Sequence, residues 1–225
     1  MIKLHHVQYG RSFRVLWLLE EIGVETFGGL EVIEHRIGTK EMAESELGRV
    51  SPAARIPAIE METETGTLAM SESGAIVEYL TERFAPSLGR GVDDPERAAY
   101  LQWIHYAETQ ASLIENLNLQ MVFLRPPAKP SPSVIKLQVA RLKQTLRGLE
   151  AGLQHEWLLE SGFSAADVMQ GFNLFAAPFF VQMDEFPKVC AYKARMEQRA
   201  AHQRSVAREG AQRFYAQSFY PVPEA

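Results

Sequence analysis

The chain has 225 residues, of which 46% are hydrophobic, and its formal net charge at pH 7 is −5. This acidity argues against nucleic acid or an anionic membrane surface as the main partner. Because the sequence has one cysteine, no signal-peptide pattern and no apolar run of the roughly 18 residues that span a bilayer, we expect a cytoplasmic protein without disulfides.

The first third of the sequence predicts a βαβ unit followed by a ββα unit. The predicted elements in chain order are a strand over 2–7, a turn over 8–11, a helix over 13–22, a strand over 30–36, a weak helix over 39–47 ended by Gly48, a strand beginning at 56–59, a turn over 63–66, a strand over 67–70 and a helix opening at 71–74. This order predicts a thioredoxin-like α/β domain over residues 1–84.

The composition changes after Phe84, and no strand pattern follows. Residues 85–93 are a predicted linker, and residues 94–225 are a predicted all-helical domain that begins at Asp94 and Pro95. The predicted elements are a long helix over 98–124, a proline-rich loop over 125–133, a helix striped by Val134, Leu137, Leu142, Leu146, Leu149 and Leu153, and further helices from Ser164 and near Pro187. Ser164 and Asp167 form a predicted capping box, and Cys190 is a predicted buried residue.

Two features in the middle of the first domain suggest a binding site. A strand entered at Ile56–Pro57 is a natural place for a cis bond, which would leave the Ile56 backbone free for an extended ligand. Shortly afterwards a helix N-terminus with Ser73 offers a hydroxyl and unpaired N–H groups to a carboxylate. Together they predict a site that holds a small peptide at its middle and at one end.

The run of Arg55-Ile56-Pro57, followed by Ser71-Glu72-Ser73-Gly74-Ala75-Ile76, resembles the glutathione-binding half-site of the cytosolic glutathione transferases. The resemblance extends over almost the whole chain, since the Ser164 box matches a capping box of the second domain in that family. It implies that Glu72 meets the glutathione ammonium group, that Ser73 meets its carboxylate, and that Ile56 and Pro57 hold its middle. Arg55 matches a basic residue that the family uses near the glycyl end of glutathione. The alternative interpretation is that Arg55 is an ordinary surface charge.

The same resemblance implies a hydroxyl or thiol group beside the glutathione sulfur, in the turn before the first helix. The usual serine position falls on Gly10 and the usual tyrosine position near His5, so Tyr9 and Ser12 become the candidates. Each of these two has a structural alternative, since Ser12 can be the N-cap of the helix and Tyr9 a packing residue. Arg11 is a further candidate, because its charge would stabilise the thiolate.

The activity that the resemblance implies is the transfer of glutathione, as co-substrate, to a small apolar electrophile by a homodimer without metal or nucleotide. Two alternatives stay open, another glutathione-dependent enzyme (an isomerase or a dehalogenase) and a non-catalytic binding or regulatory protein. Four residues of the long helix suit either an apolar electrophile pocket or a helical core; they are Trp103, Tyr106, Met121 and Phe123.

Overall fold

The structure is a computed structural model that describes residues 1–37, 39–40, 42, 45 and 47–223. Its four strands are β1 (Ile2–His6), β2 (Leu30–Glu34), β3 (Ala58–Thr63) and β4 (Gly66–Ser71). They form one sheet in the order β2-β1-β3-β4, in which β1 pairs parallel with β2 and antiparallel with β3. β3 and β4 form an antiparallel hairpin. The predicted βαβ and ββα units are both confirmed, and the fold is thioredoxin-like in this part.

Eight α-helices accompany the sheet in the described residues, and most lie in the second half of the chain. They are α1 (Phe13–Ile22), α2 (Leu47–Val50), α3 (Ser73–Phe84), α4 (Arg97–Asn118), α5 (Pro132–Gly152), α6 (Ala165–Ala176), α7 (Pro187–Glu197) and α8 (Ala200–Glu209). A π-helical turn over Leu119–Phe123 continues α4. Among the described residues, none of these helices combines the length and the apolarity that a membrane crossing requires.

Helix α1 lies at the centre of the molecule, because it packs against β1 and α3 on one side and against α6 and α8 on the other. Its residues from Phe13 to Glu20 are all buried, as expected for a helix that is apolar around most of its circumference. The close approach of α6 requires a glycine. A Cβ on Gly171 would lie 2.8 Å from ring atoms of Trp17.

Helix α8 is attached to α1 by ion pairs. Glu20 is 4% exposed, and its carboxylate accepts hydrogen bonds from Arg204 and Arg208, both at 2.7 Å. Arg199 pairs with Glu21 through two atoms, at 2.7 and 2.8 Å. The last helix of the chain is therefore fixed to the first one.

The capping box at α6 is confirmed. The Ser164 N–H donates to Asp167 Oδ2 at 2.7 Å, and the Ser164 hydroxyl accepts from the Ala166 N–H at 3.3 Å. Asp167 is buried and also accepts from the Tyr192 hydroxyl at 2.7 Å, so the box joins α6 to α7. Burial raises the pKa of Asp167 despite these hydrogen bonds.

Three local predictions are wrong. Gly48 lies inside α2 instead of ending a helix, and much of the helix predicted over 39–47 falls outside the described residues. Val134 and Leu137 are exposed because the buried stripe of α5 begins at Ile135, one position away from the predicted phase. Cys190 is exposed, since the buried face of α7 runs through Val189, Tyr192 and Met196.

Candidate functional site

A cleft of about 340 Å³ lies between the sheet domain and the helices. On the sheet side it is lined by the β1–α1 turn, including Tyr9 and Arg11, and by the segment before β3, including Arg55 and Ile56. The end of α4 with Glu115 closes the other side. The structure therefore brings three sequence-predicted residues, Tyr9, Arg55 and Ile56, to one cleft. The Ile56–Pro57 bond is cis, as predicted.

Backbone strain is concentrated around this cleft. Three non-glycine residues among those described have positive φ: Tyr9 at 53°, Ala54 at 49° and Glu72 at 73°. Tyr9 and Ala54 line the cleft, and Glu72 directly precedes α3. Such conformations cost on the order of 1–3 kcal/mol each and collect where a site requires a particular backbone direction. Their grouping is an observation, independent of side-chain chemistry, that makes this region a candidate functional site.

A buried charge network lies behind the start of α3. The Arg14 guanidinium is fully buried and donates to Ser73 Oγ, to the Ala107 carbonyl and to Asn173 Oδ1, each at 3.0 Å, and also to Glu108. The Ser73 hydroxyl donates to Glu108 Oε1 at 2.9 Å. Burial acts to raise the pKa of Glu108, but the charges of Arg14 and Arg11 outweigh it and lower this pKa. Ser73 is thus held between a guanidinium and a carboxylate.

The network continues to the cleft. Arg11 donates to Glu108 at 3.3 Å and forms a close ion pair with Glu115, which also pairs with Arg55. The path from Ser73 to Arg55 is therefore an unbroken series of alternating charges. Ser73 and Glu72 do not line the cleft itself. In the described part of the chain the exposed Glu72 carboxylate makes no hydrogen bond or ion pair, so it is available to a ligand cation.

Ser12 is fully buried, and its hydroxyl holds the loop that precedes α1. Ser12 Oγ accepts from the Val7 N–H at 3.0 Å and donates to the Val7 carbonyl at 3.1 Å. Ser12 occupies the N-cap position of α1, but its side chain makes no capping bond, so the predicted capping role of the hydroxyl is wrong. The hydroxyl hydrogen is already donated, and this geometry favours a role in fixing the loop.

Tyr9 is attached to the C-terminal segment. Its N–H donates to Glu209 Oε2 at 2.7 Å, its hydroxyl donates to the Gly210 carbonyl, and its ring packs on Phe175 with centroids 5.0 Å apart. The Glu209 carboxylate is fully buried and lies 3.2 Å from His6 Nε2. Burial, followed by the charge of Glu209, raises the pKa of Tyr9, so its phenol is neutral near pH 7 and acts as a donor.

The start of α1 also presents backbone donors. Within the described residues, the N–H groups of Arg11 and Ser12 have no hydrogen-bond acceptor, while the next N–H, that of Phe13, donates to the Gly10 carbonyl. Unpaired first-turn N–H groups and the positive end of the helix dipole stabilise an anion. Arg11 lines the cleft, so these donors belong to a turn that borders it.

The sequence predictions missed most of the charged framework. Arg14 interrupts the apolar run FRVLWLLEEI, and a charge on a buried helix face signals a buried partner. Nothing local identifies that partner, since Glu108 lies 94 residues away. Among the four aromatic and methionine residues left open between pocket and core, Met121 and Phe123 line a cavity. Trp103 and Tyr106 instead pack on α5, where they fill the space above Gly152 and Gly148.

Comparison with known proteins gives consistent results. Residues 1–82 match the family model described as glutathione S-transferase, N-terminal domain. Glutathione S-transferase 3 of Schizosaccharomyces pombe is 30% identical over 190 residues, which cover 79% of this chain and 74% of that protein. Glutathione S-transferase 1 of Saccharomyces cerevisiae is 27% identical over 203 residues, covering 79% and 84% of the two chains.

Solved structures share the fold at lower sequence identity. The glutathione transferase URE2P6 of Phanerochaete chrysosporium, solved in complex with oxidized glutathione, aligns with a TM-score of 0.79 and 24% identity over 92% of this chain and 96% of that one. BphK, a bacterial GST solved as a ternary complex, aligns with a TM-score of 0.76 and 21% identity over 93% of this chain and 100% of that one. Both alignments cover the sheet and the helices together.

Proposed function

This chain belongs to the glutathione S-transferase family, whose co-substrate is glutathione, and we propose that it binds glutathione in the cleft and transfers it to an electrophile. The observation that carries the proposal is that the turn before α1, the strained Ala54 and the Ile56 backbone meet in one cleft. The series of hydrogen bonds and ion pairs that starts at Ser73 ends at the same cleft, which Arg11, Glu115 and Arg55 line.

The proposed glutathione site uses the predicted residues in distinct roles. The middle of the peptide pairs with the Ile56 backbone beside Pro57, and its glycyl carboxylate meets Arg55. The Glu72 carboxylate receives the ligand ammonium group. The backbone N–H groups of Ser73 and of the next residues of α3 receive the ligand's α-carboxylate, while the Ser73 hydroxyl, which donates to Glu108, holds the start of this helix. The support for this arrangement is that Glu72 is unpaired in the described residues and that Ser73 is fixed by Arg14.

The sulfur is proposed to lie at the start of α1. A free thiol has a pKa of about 8.5, and lowering it by two units requires roughly 2.7 kcal/mol of preferential stabilisation of the thiolate. We assign this to the unpaired Arg11 N–H, the helix dipole and the Arg11 guanidinium, because the hydroxyls of Ser12 and Tyr9 already donate to Val7 and Gly210. Ser12 and Tyr9 then act by positioning the turn.

The proposed reaction is a nucleophilic substitution or addition. The glutathione thiol releases its proton to solvent, and the thiolate forms a C–S bond to the electrophilic carbon. In a substitution the leaving group departs with the electron pair of its former bond to that carbon. The protein contributes by increasing the thiolate fraction and by holding both reactants at bonding distance.

The alternative is a binding protein of the same fold. The feature that favours it is Gly10, which occupies the position where the family resemblance places a serine. By analogy with the family we also propose a homodimer in the cytoplasm, and the single cysteine in the sequence agrees with a reducing compartment.

Two measurements, made one after the other, test the proposal. Calorimetry with reduced glutathione establishes binding, and absence of binding contradicts the proposal outright. A panel of aryl halides, epoxides and enones then reveals conjugation. Binding without any conjugation above the uncatalysed rate identifies the non-catalytic alternative.

A further inference from the structure

A second, larger cavity of about 840 Å³ adjoins the cleft. Its walls are the β1–α1 turn, the residues that follow β2, the π-helical turn after α4 and the C-terminal segment around Phe214. The two spaces share lining residues, namely Val7, Tyr9, Ile37, Phe123 and Phe214. A molecule in the cavity therefore lies beside the turn at which the thiolate is proposed to form.

Three guanidinium groups from three separate segments line this cavity. Arg36 follows β2, Arg125 follows the π-helical turn, and Arg213 lies in the C-terminal segment. Among the residues that the structure describes, one carboxylate lines the cavity, that of Glu34, at the end of β2. Its wall is thus positively charged in a protein whose formal net charge is −5.

These arginines differ from those of the cleft in their partners. Arg11, Arg14 and Arg55 are all neutralised by Glu108 or Glu115. By contrast, Arg125 donates from Nη1 to the carbonyls of Val122 and Leu124, at 2.6 and 3.1 Å. Its guanidinium has further N–H groups that can donate to a ligand.

Arg36 and Arg213 are exposed, and neither forms a side-chain hydrogen bond or ion pair with any residue that the structure describes. Unpaired guanidinium groups around a concavity attract anions and bind carboxylates through paired hydrogen bonds.

The shared wall between cleft and cavity is aromatic. Phe123 and Phe214 meet edge to face, with ring centroids 5.1 Å apart and planes at 88°. Phe214 is the neighbour of Arg213 in sequence, and Phe123 is two residues before Arg125. Apolar surface and positive charge therefore alternate along the same two segments.

We propose that this cavity receives the second substrate and selects electrophiles in which an apolar body carries an anionic group, such as an aryl carboxylate. The body packs against Phe123 and Phe214, and the anion is bound by Arg36, Arg125 and Arg213. This inference rests on the proposed function for its chemistry, while the anion selectivity rests on the cavity alone.

Binding is tested with two unreactive probes, 3,5-dinitrobenzoate and its methyl ester, which have the same ring and differ in charge. Calorimetry without glutathione should show the acid binding about tenfold more tightly than the ester, an effect of the size that charge-assisted contacts produce. Equal affinities for the acid and the ester would overturn the proposal.

A triple variant, Arg36→Gln with Arg125→Gln and Arg213→Gln, should abolish this preference and leave ester binding unchanged. The matched control is the triple variant Arg83→Gln, Lys136→Gln and Arg141→Gln, which removes the same charge from positions outside the cavity lining. A preference that persists in the first variant, or is lost equally in the second, would refute the assignment.

A kinetic comparison uses 4-chloro-3,5-dinitrobenzoate and its methyl ester. In each reaction the C–S bond forms while the C–Cl bond breaks, and chloride leaves with the electron pair. For each substrate, kcat/KM is divided by the rate constant of its uncatalysed reaction with glutathione. The ratio of this quantity for the acid to that for the ester should fall about tenfold in the triple variant of Arg36, Arg125 and Arg213. Absence of glutathione binding with retained acid preference would refute the proposed function but leave the anion selectivity standing.

Discussion

Arg14 Nη1 donates to Ser73 Oγ across 3.0 Å, so a fully buried side chain of α1 fixes the first residue of α3. The same guanidinium reaches Glu108 on α4 and Asn173 on α6. One cation therefore determines where four helices meet and where the helix start that is proposed to bind glutathione is held. Its position depends on charge neutralisation by Glu108.

Protein stability should depend on the ionisation of Glu108. The pKa of this carboxyl is lowered in the fold, so its ionised form contributes stability above its ordinary pKa of 4.5, and the contribution is lost as the pH falls towards the lowered value. Glu108→Gln should therefore flatten the dependence of the free energy of unfolding on pH below about 5.5, where the carboxyl of the unfolded chain begins to bind protons, measured by urea titration. Glu64→Gln, in the exposed hairpin turn, is the control and should follow the unmodified protein. If the free energy of unfolding depended on pH equally in the Glu108 variant and in the unmodified protein, the stabilising role of the ionised Glu108 would be contradicted.

Glu72→Gln should weaken glutathione binding by about 1.5–3 kcal/mol, because the charge-assisted hydrogen bond to the ligand ammonium group is lost. Calorimetry measures the change, and the thermal midpoint should be almost unaffected since Glu72 is exposed. The same exchange at Glu64 should leave the affinity as it was. An unchanged affinity in the Glu72 variant would remove this residue from the site.

Ser12→Ala should reduce stability without changing the thiol chemistry. The change leaves the Val7 N–H without a partner and leaves the Val7 carbonyl with the Gly10 N–H as its donor, which costs about 1–3 kcal/mol in the free energy of unfolding. Ser205→Ala, at a buried hydroxyl that donates to the Ala201 carbonyl of its own helix, should cost less. The pH midpoint of kcat/KM should stay in place, and a clear rise would show that Ser12 donates to the thiolate.

Arg11→Gln should raise the pH midpoint of kcat/KM, because removing a positive charge beside the thiolate raises the pKa of the thiol. Tyr9→Phe should leave the midpoint where it was, since the hydroxyl donates to the Gly210 carbonyl. Arg141→Gln, on the exposed face of α5, controls for the loss of net charge. A midpoint that moves with Tyr9 and not with Arg11 would reverse the two roles.

Gly171→Ala should destabilise the protein by about 1–3 kcal/mol, since overpacking against Trp17 outweighs the gain in helix propensity of ~1 kcal/mol. Gly48→Ala is the matched comparison, because a Cβ there meets no atom within 4 Å in the described part of the chain. This second change should be neutral or stabilising. Equal effects of the two substitutions on the thermal midpoint would contradict the packing argument.

The sequence predicted those features that depend on neighbouring residues. The order of the sheet elements follows from the apolar periods and from glycine and proline positions, and the Ser164 box follows from a three-residue spacing. The phase of α5 was wrong at its start because Val134 and Ile135 are equally apolar, and only tertiary packing distinguishes them.

Features that join distant segments could not be predicted. Arg14 is recognisable as an unusual residue in an apolar helix, but its partners come from α3, α4 and α6. The three arginines of the larger cavity likewise lie on segments that the sequence gives no reason to bring together. Charged residues that are far apart in the sequence and follow no helix or strand period cannot be recognised as neighbours from one sequence.

The hydrogen bond from the Tyr9 N–H to Glu209 connects residues separated by 200 positions. During translation the sheet of the first domain can form long before α8 leaves the ribosome. The turn that is proposed to hold the sulfur then has no buried carboxylate to accept the Tyr9 N–H. We therefore expect nascent chains stalled before Glu209 to have a folded sheet and a deficient glutathione site, so that this site becomes competent only after Glu209 has been synthesised.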